Sequence, residues 1–159
     1  MTTTHAAFFY GTLMAPQVLH RVCHGSNSPS NPIYATHNFK TTPAILPAHR
    51  RHRVKDADYP AILPHAGSSV RGTCVTGLTD ADIWRLDIFE GDEYERVKVR
   101  CKLLVDGKDD GGEEVEAETY VWIAGEERLE VQEWDFEEFR REKMRFWVGQ
   151  EGEGEFAGE

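Results

Sequence analysis

Two alternating segments in the second half of the chain constrain the fold most. Residues 115–123 alternate between apolar and polar side chains, and residues 97–105 do so with Val97, Val99, Cys101, Leu103 and Val105 on one side. A period of two is typical of a strand with one buried face. The segment 106–112, DGKDDGG, is an Asp-Gly type of hairpin connection. This part of the chain therefore predicts an antiparallel pair of strands.

The first half adds further strands. A short apolar run over residues 6–10 ends at Gly11 and predicts a buried strand. Residues 70–78 predict another. Residues 33–63 are expected to form strands broken by the prolines at positions 43, 47 and 60.

Three segments predict helices. Pro16 suits a first helical turn, and the apolar residues after it share one face: Val18, Leu19 and Val22. Thr79 followed by Asp82 has the form of a capping box, and Gly91 should end that helix. Its inner face should comprise Ile83, Leu86 and either Ile88 or Phe89. Asp135 with Glu138 is a further cap signal, before apolar residues at helical spacing: Phe136, Phe139, Met144 (or Lys143) and Trp147.

These elements indicate the α+β class, with a mainly antiparallel sheet curled into a small barrel and two or three flanking helices. At 159 residues the chain suits one domain, which we place at residues 1–149. The Gly- and Glu-rich segment 150–159 is predicted to be a disordered tail. Residues 25–32, GSNSPSNP, are predicted to form an irregular loop.

Charge and cysteine content exclude several classes of function. A net charge of −10 argues against nucleic acid or a membrane surface as a partner. The basic segment 49–53, HRRHR, is interpreted as a solvated loop. Three widely spaced cysteines and the absence of a signal peptide or a long apolar run favour a cytoplasmic protein. It is expected to be a monomer or a homodimer.

Metal and cofactor sites are not predicted. His20, Cys23 and His24 have helical spacing, but no second pair completes a tetrahedral set. Cys101 is interpreted as a core thiol. No nucleophile elbow, phosphate-binding loop or dinucleotide-binding glycine motif is present in the sequence.

The segment Tyr10-Gly11-Thr12-Leu13 is the first candidate site. Gly11 permits a sharp turn and the close approach of a ligand, because it has no Cβ. Backbone N–H groups before a helix favour a carboxylate or a phosphate. The alternative is a plain turn between a strand and a helix.

Glu90 is the second candidate. It is expected at the carboxyl end of a helix, where the dipole and the neighbouring acids disfavour ionisation. We therefore expect its pKa to be raised, so that it can serve as a general base and then as an acid. The alternative is an ordinary exposed acid on a loop.

Six segments in the same order resemble the gamma-glutamylcyclotransferase-like family, and most closely its avirulence-induced-gene-like branch. They are FFYGTLM (8–14), YPAILP (59–64), VRG (70–72), LDIFEGDEYER (86–96), YVW (120–122) and EWDFE (133–137). The resemblance covers roughly residues 7 to 149.

The resemblance implies a small mixed barrel with a pocket at one mouth. It further implies an enzyme that cyclises a γ-glutamyl group to 5-oxoproline and releases the attached amine. Substrate-binding residues would be Tyr10, Gly11, Thr12 and Leu13, with Tyr94 and Tyr120 as further candidates for the pocket wall. Glu90 would be the general acid/base, and no cofactor would be needed because the nucleophile is already part of the substrate.

Two functions stay open at this point. The first is this acyltransferase, acting on a small γ-glutamyl amine or peptide. The second is a non-catalytic module that binds a metabolite or a protein in the same pocket. The leaving amine is also open, and segments 25–32 and 49–53 are candidates to border it, with the arginines favouring an acidic leaving group.

Overall fold

Five strands form a closed barrel in the computed structural model of the protein, which describes residues 5–24, 40–104 and 112–144. The strands are β1 (His5–Phe9), β2 (Lys40–Arg53), β3 (Pro60–Leu78), β4 (Tyr94–Leu103) and β5 (Glu114–Trp122). Their order around the barrel is β1-β3-β2-β4-β5. Neighbouring strands are antiparallel, except that β1 and β5 pair in parallel to close the barrel. The predicted α+β class and mostly antiparallel barrel are confirmed.

The late pair of strands is formed as predicted. β4 and β5 pair from Tyr94 opposite Trp122 to Lys102 opposite Glu114. Cys101 points inward and is fully buried. Residues 105–111, which include most of the predicted hairpin connection, lie outside the described residues.

The prediction that prolines interrupt the strands of residues 33–63 is wrong at two positions. β2 continues through Pro43 and Pro47. Pro43 has no N–H to donate, but its carbonyl still accepts the N–H of Leu104 at 2.9 Å, so this backbone bond of β2 is kept. The register shifts between Pro47 and His49, and Ala48 has a φ of 61°, so the strand absorbs the second proline in a local irregularity.

The basic segment 49–53 is not a solvated loop, so that interpretation is also wrong. It is the end of β2, paired with residues 60–64 of β3. All five of its residues are half-buried rather than exposed. The count of positive charges did not reveal this, because the strand is held by backbone pairing and by partners distant in sequence.

Three helices flank the barrel: α1 (Pro16–His24), α2 (Asp80–Glu90) and α3 (Phe136–Glu142). The predicted capping box begins α2, with Asp82 N–H donating to Thr79 Oγ1 and Thr79 N–H donating to Asp82 Oδ2. Gly91 follows the last residue of α2 and has a φ of 72°. This left-handed backbone conformation favours glycine.

The helices bury their apolar faces against the barrel. In α2, Ile83 and Leu86 are buried and Phe89 packs on the same core. Ile88 is 60% exposed, so Phe89 rather than Ile88 completes the predicted inner face of the helix. Asp135 caps α3 by accepting two backbone N–H groups, and Phe139 is buried. No helix in the described ranges is long and apolar enough to cross a membrane.

Several predictions fall on residues that the structure does not describe. These are the irregular loop 25–32, the side chain of Trp147, and the disordered tail 150–159 with its domain boundary.

Candidate functional site

A cavity of about 260 Å³ lies where several strand ends meet the end of α2. It is slightly smaller than the roughly 300–1,000 Å³ typical of ligand pockets. Its wall is formed by the end of β1 with the following turn, by the starts of β3 and β4, by the end of α2 with the turn after it, and by β5. The lining residues are Phe8, Phe9, Tyr10, Gly11, Thr12, Leu13, Tyr59, Pro60, Ile88, Phe89, Glu90, Gly91, Asp92, Glu93, Tyr94 and Tyr120.

The turn after β1 brings backbone donors to this cavity. Thr12–Met14 forms one 3-10 turn, in which the N–H of Met14 donates to the carbonyl of Gly11 at 2.9 Å. The N–H groups of Thr12 and Leu13 precede that first bond, so the turn itself leaves them for another acceptor.

Gly11 is required here because the backbone passes close to Pro60. A Cβ on Gly11 would lie 2.7 Å from Pro60 Cγ and 2.8 Å from Pro60 Cδ. These distances are shorter than any normal carbon–carbon contact. The glycine therefore allows the turn and the start of β3 to form one continuous wall.

Glu90, the last residue of α2, contributes a carboxylate to the same cavity. Its charge is one of the causes that raise the pKa of Tyr10, Tyr94 and Tyr120, after burial as the first cause in each case. A single carboxylate acts on all three phenols only if it lies near all three. The end of α2 thus places an acid beside a cluster of tyrosines.

The three phenols form a fixed frame around the cavity. Tyr10 donates its hydroxyl to the carbonyl of Tyr120 at 2.7 Å, and Tyr94 donates to the carbonyl of Pro60 at 2.7 Å. Tyr120 donates to Asp87 Oδ1 at 2.8 Å. Because their pKa values are raised above the ordinary value of about 10, all three stay protonated at neutral pH. The phenols are therefore hydrogen-bond donors to the protein and not bases.

Asp87 supports this frame from outside the cavity. It lies one helical turn before Glu90 and accepts a hydrogen bond from Arg96 Nε at 3.0 Å in addition to that from Tyr120. Arg96 also binds Glu118, which in turn contacts His5. Burial and the hydrogen bond to Asp87 are the two largest causes that raise the pKa of Tyr120.

The wall contains two further acids. Asp92 is exposed, and Glu93 forms an ion pair with Arg128 at 2.6 Å. In the described part of the chain, no lysine or arginine lines the cavity. The segment 49–53 does not border it either, contrary to the sequence-based expectation, and residues 25–32 are not described.

The structure thus brings all seven candidate residues from the sequence to one cavity: Tyr10, Gly11, Thr12, Leu13, Glu90, Tyr94 and Tyr120. Tyr59, Pro60 and Asp87 were not predicted from the sequence to belong to the site. The only signal for them was that they stand inside the segments that carried the resemblance. Among the described residues, no group of three or more His, Cys, Asp or Glu side chains is arranged to hold a metal ion.

Comparison with known proteins identifies similar sequences. Residues 7–136 match the family model described as "Gamma-glutamyl cyclotransferase, AIG2-like". Protein AIG2 C of Arabidopsis thaliana is 32% identical over 137 residues, which cover 86% of this chain and 73% of that protein. AIG2-like protein D of the same plant is 35% identical over 142 residues, 89% of this chain and 83% of that protein.

Solved structures share the fold. A protein of Arabidopsis thaliana determined in solution has a TM-score of 0.65 at 29% identity, covering 96% of this chain and 88% of its own. A crystallised AIG2-like protein from mouse has a TM-score of 0.60 at 18% identity, with coverages of 83% and 88%. A structure named gamma-glutamyl cyclotransferase has a TM-score of 0.57 at 16% identity, with coverages of 80% and 69%. The last two show a common fold.

Proposed function

We propose that this chain, which belongs to the gamma-glutamyl cyclotransferase, AIG2-like family, converts a γ-glutamyl amine into 5-oxoproline and a free amine. The observation that carries the proposal is that the turn Tyr10–Leu13 and the carboxylate of Glu90 line one small cavity. Backbone donors suit the α-carboxylate of a γ-glutamyl group, and a carboxylate suits the proton transfers that ring closure needs.

In the proposed reaction Glu90 acts first as a base. The neutral α-amine of the substrate attacks its own γ-carbonyl carbon, and a C–N bond forms to close a five-membered ring. The α-amine loses a proton to the Glu90 carboxylate in this step. Since nucleophile and electrophile belong to one molecule, the cavity has only to hold the folded-back conformation of the substrate.

Glu90 then acts as an acid. The protonated carboxyl group gives its proton to the nitrogen of the original γ-amide, and the bond from that nitrogen to the γ-carbon breaks. The products are 5-oxoproline and the amine, and Glu90 is again a carboxylate. No water is consumed, and no other group gains or loses a proton overall.

The turn and the phenols are assigned binding roles in this proposal. The N–H groups of Thr12 and Leu13 would hold the α-carboxylate or the oxyanion that develops on the γ-carbonyl. Tyr94 and Tyr120 would shape the wall around the γ-glutamyl group. The hydroxyl protons of both are already donated within the protein, so their oxygens can only accept from the substrate.

The proposal is tested with a panel of γ-glutamyl amines, using mass spectrometry to detect 5-oxoproline. The panel should contain γ-glutamyl amino acids, glutathione and γ-glutamyl-lysine peptides. Glu90→Gln removes the proton acceptor with little change in shape, and we expect turnover to fall by about 10²–10⁴. Asp92→Asn, another acid of the same wall, is the matched control and should change turnover by no more than about 5-fold.

The same panel separates this enzyme from the alternative of a binding module. A binding module would give no 5-oxoproline from any member, and it would hold its ligand equally well in the parent and in Glu90→Gln. Thermal-shift measurements with L-glutamate and 5-oxoproline would detect such binding. A folded parent protein that gives no product with the panel contradicts the proposal.

A further inference from the structure

We propose that Arg51 is a positioning residue that aims the N–H group of Gly11 at the substrate. This inference deepens the proposed function and rests on it for the identity of the substrate. Arg51 does not line the cavity. It contacts the turn Tyr10–Leu13 from a groove on the other side, which also includes Glu133 and Trp134.

Arg51 is held by several partners that are distant in sequence. Its Nη1 donates to the carbonyl of Tyr10 at 2.7 Å and to the carbonyl of Arg71 at 3.2 Å. Its Nε and Nη2 donate to Glu133 Oε2 at 3.2 and 2.8 Å. The side chain is only 11% exposed. A guanidinium fixed on two sides in this way has little freedom to change its direction.

The bond to the Tyr10 carbonyl has a direct consequence for Gly11. The peptide group between Tyr10 and Gly11 is planar and trans, so its C=O and N–H point in opposite directions. Because Arg51 holds the carbonyl on the groove side, the N–H of Gly11 points away from the groove. Gly11 itself lines the cavity. The charge on Arg51 also polarises this peptide group, which makes the N–H a stronger donor.

The segment around Glu133 supports Arg51 from behind. The backbone of this segment pairs with the end of β2, since Arg53 N–H donates to Gln132 O at 3.0 Å and Glu130 N–H donates to Arg53 O at 2.8 Å. The guanidinium of Arg51 also lies 5.8 Å from the ring centroid of Trp134. A segment near the end of the described chain therefore fixes a residue that orients the turn at its beginning.

The test compares Arg51→Met with Arg51→Lys and with the matched control Arg50→Met. Arg50 is the neighbouring arginine, and it donates to Val131 O at 3.0 Å, so its loss affects the same segment without touching the turn. We expect Arg51→Met to raise KM for the best γ-glutamyl substrate about 10- to 100-fold, with a smaller change in kcat, because a ground-state binding group is misdirected. Arg51→Lys should recover part of this loss, and Arg50→Met should leave KM unchanged.

A purely structural role would give a different result. It would lower kcat through the folded fraction and leave KM unchanged in the molecules that remain folded. That outcome would overturn the proposal. Glu133→Gln leaves the bond from Arg51 to the Tyr10 carbonyl in place and weakens only the ion pair between Arg51 and residue 133. It should therefore raise KM above that of the parent but by less than the roughly 10- to 100-fold expected for Arg51→Met. This variant provides the test if Arg51→Met folds poorly.

A readout independent of turnover separates this inference from the proposed function. In NMR spectra of the folded proteins, the Gly11 amide resonance should shift in Arg51→Met and stay in place in Arg50→Met. L-Glutamate as a probe should move that resonance in the parent and not in Arg51→Met. If the parent shows no turnover but these shifts appear, the proposed reaction fails and the positioning role stands. An unchanged Gly11 resonance in folded Arg51→Met overturns the positioning role.

Discussion

Tyr120 donates its hydroxyl proton to Asp87 Oδ1 at 2.8 Å, and Asp87 lies one helical turn before Glu90. A phenol has a single proton to donate. Because Asp87 takes it, Tyr120 has no proton left to donate to Glu90. The helix α2 therefore supplies two carboxylates with different tasks, one that holds the wall and one that faces the cavity.

Removing this hydroxyl should weaken the fold measurably. Tyr120→Phe loses a hydrogen bond to a charged group, although Arg96 still contacts the same Asp87 oxygen. We expect the free energy of unfolding to fall by about 1–2 kcal/mol, measured by urea denaturation. A loss smaller than about 0.5 kcal/mol would contradict the assignment.

The raised phenol pKa values predict how stability depends on alkaline pH. Burial is the first cause that raises the pKa of Tyr10, Tyr94 and Tyr120 in the folded protein; nearby charges follow for Tyr10 and Tyr94, and the hydrogen bond to Asp87 follows for Tyr120. The contribution of these tyrosines to the free energy of unfolding is therefore complete below about pH 10, where tyrosine in the unfolded chain is protonated. It is lost as the pH rises toward the pKa values of the folded protein. Between these limits, three such groups together lower the free energy of unfolding by about 4 kcal/mol per pH unit. Urea titrations above pH 10 measure this slope, which Tyr94→Phe should reduce by about a third.

The contact between Gly11 and Pro60 predicts a rescue. Gly11→Ala places a methyl group 2.7 Å from Pro60 Cγ, so the turn or the start of β3 must move. We expect a loss of about 1–3 kcal/mol in the free energy of unfolding, as for other overpacked sites. Pro60→Ala removes the ring atoms involved, so the double variant should lose less than the sum of the two single variants. Strict additivity in this double-mutant cycle would show that the contact with the Pro60 ring is not the reason why Gly11→Ala destabilises the fold.

The sequence predicted those features whose signals are local. The capping box of Thr79 and Asp82 spans three residues, and the alternation of β4 and β5 is visible within each strand. The turn Tyr10–Leu13 and Glu90 were also identified in the sequence. That they share a cavity is a property of the barrel, which pairs β1 with β3 and β5 and brings both ends of the site together.

What the sequence did not show depends on distant partners. The sequence predicts Arg51 in a solvated loop, but its contacts are to Tyr10, Arg71 and Glu133, which lie 41, 20 and 82 residues away in the chain. β2 likewise continues through Pro43, whose backbone pairs with β3 and whose carbonyl accepts the N–H of the distant Leu104. No window of neighbouring residues contains this information.

For the proposed reaction, the acids on the cavity wall predict a preference for the leaving amine. The wall includes Glu90, Asp92 and Glu93, and none of its residues is lysine or arginine in the described part of the chain. Arg128 offsets much of the charge of Glu93. We therefore expect γ-glutamyl substrates with a neutral or cationic leaving group to show higher kcat/KM than those with an acidic one, and the ratio of the two kcat/KM values should shrink as salt is added.

Asp92→Asn should reduce this ratio by about 2- to 5-fold, since one exposed charge contributes roughly 0.5–1 kcal/mol. Lys55→Met, an exposed cation that does not line the cavity, is the control and should leave the ratio unchanged. A parent enzyme that prefers acidic leaving groups would show that groups other than these acids determine the choice.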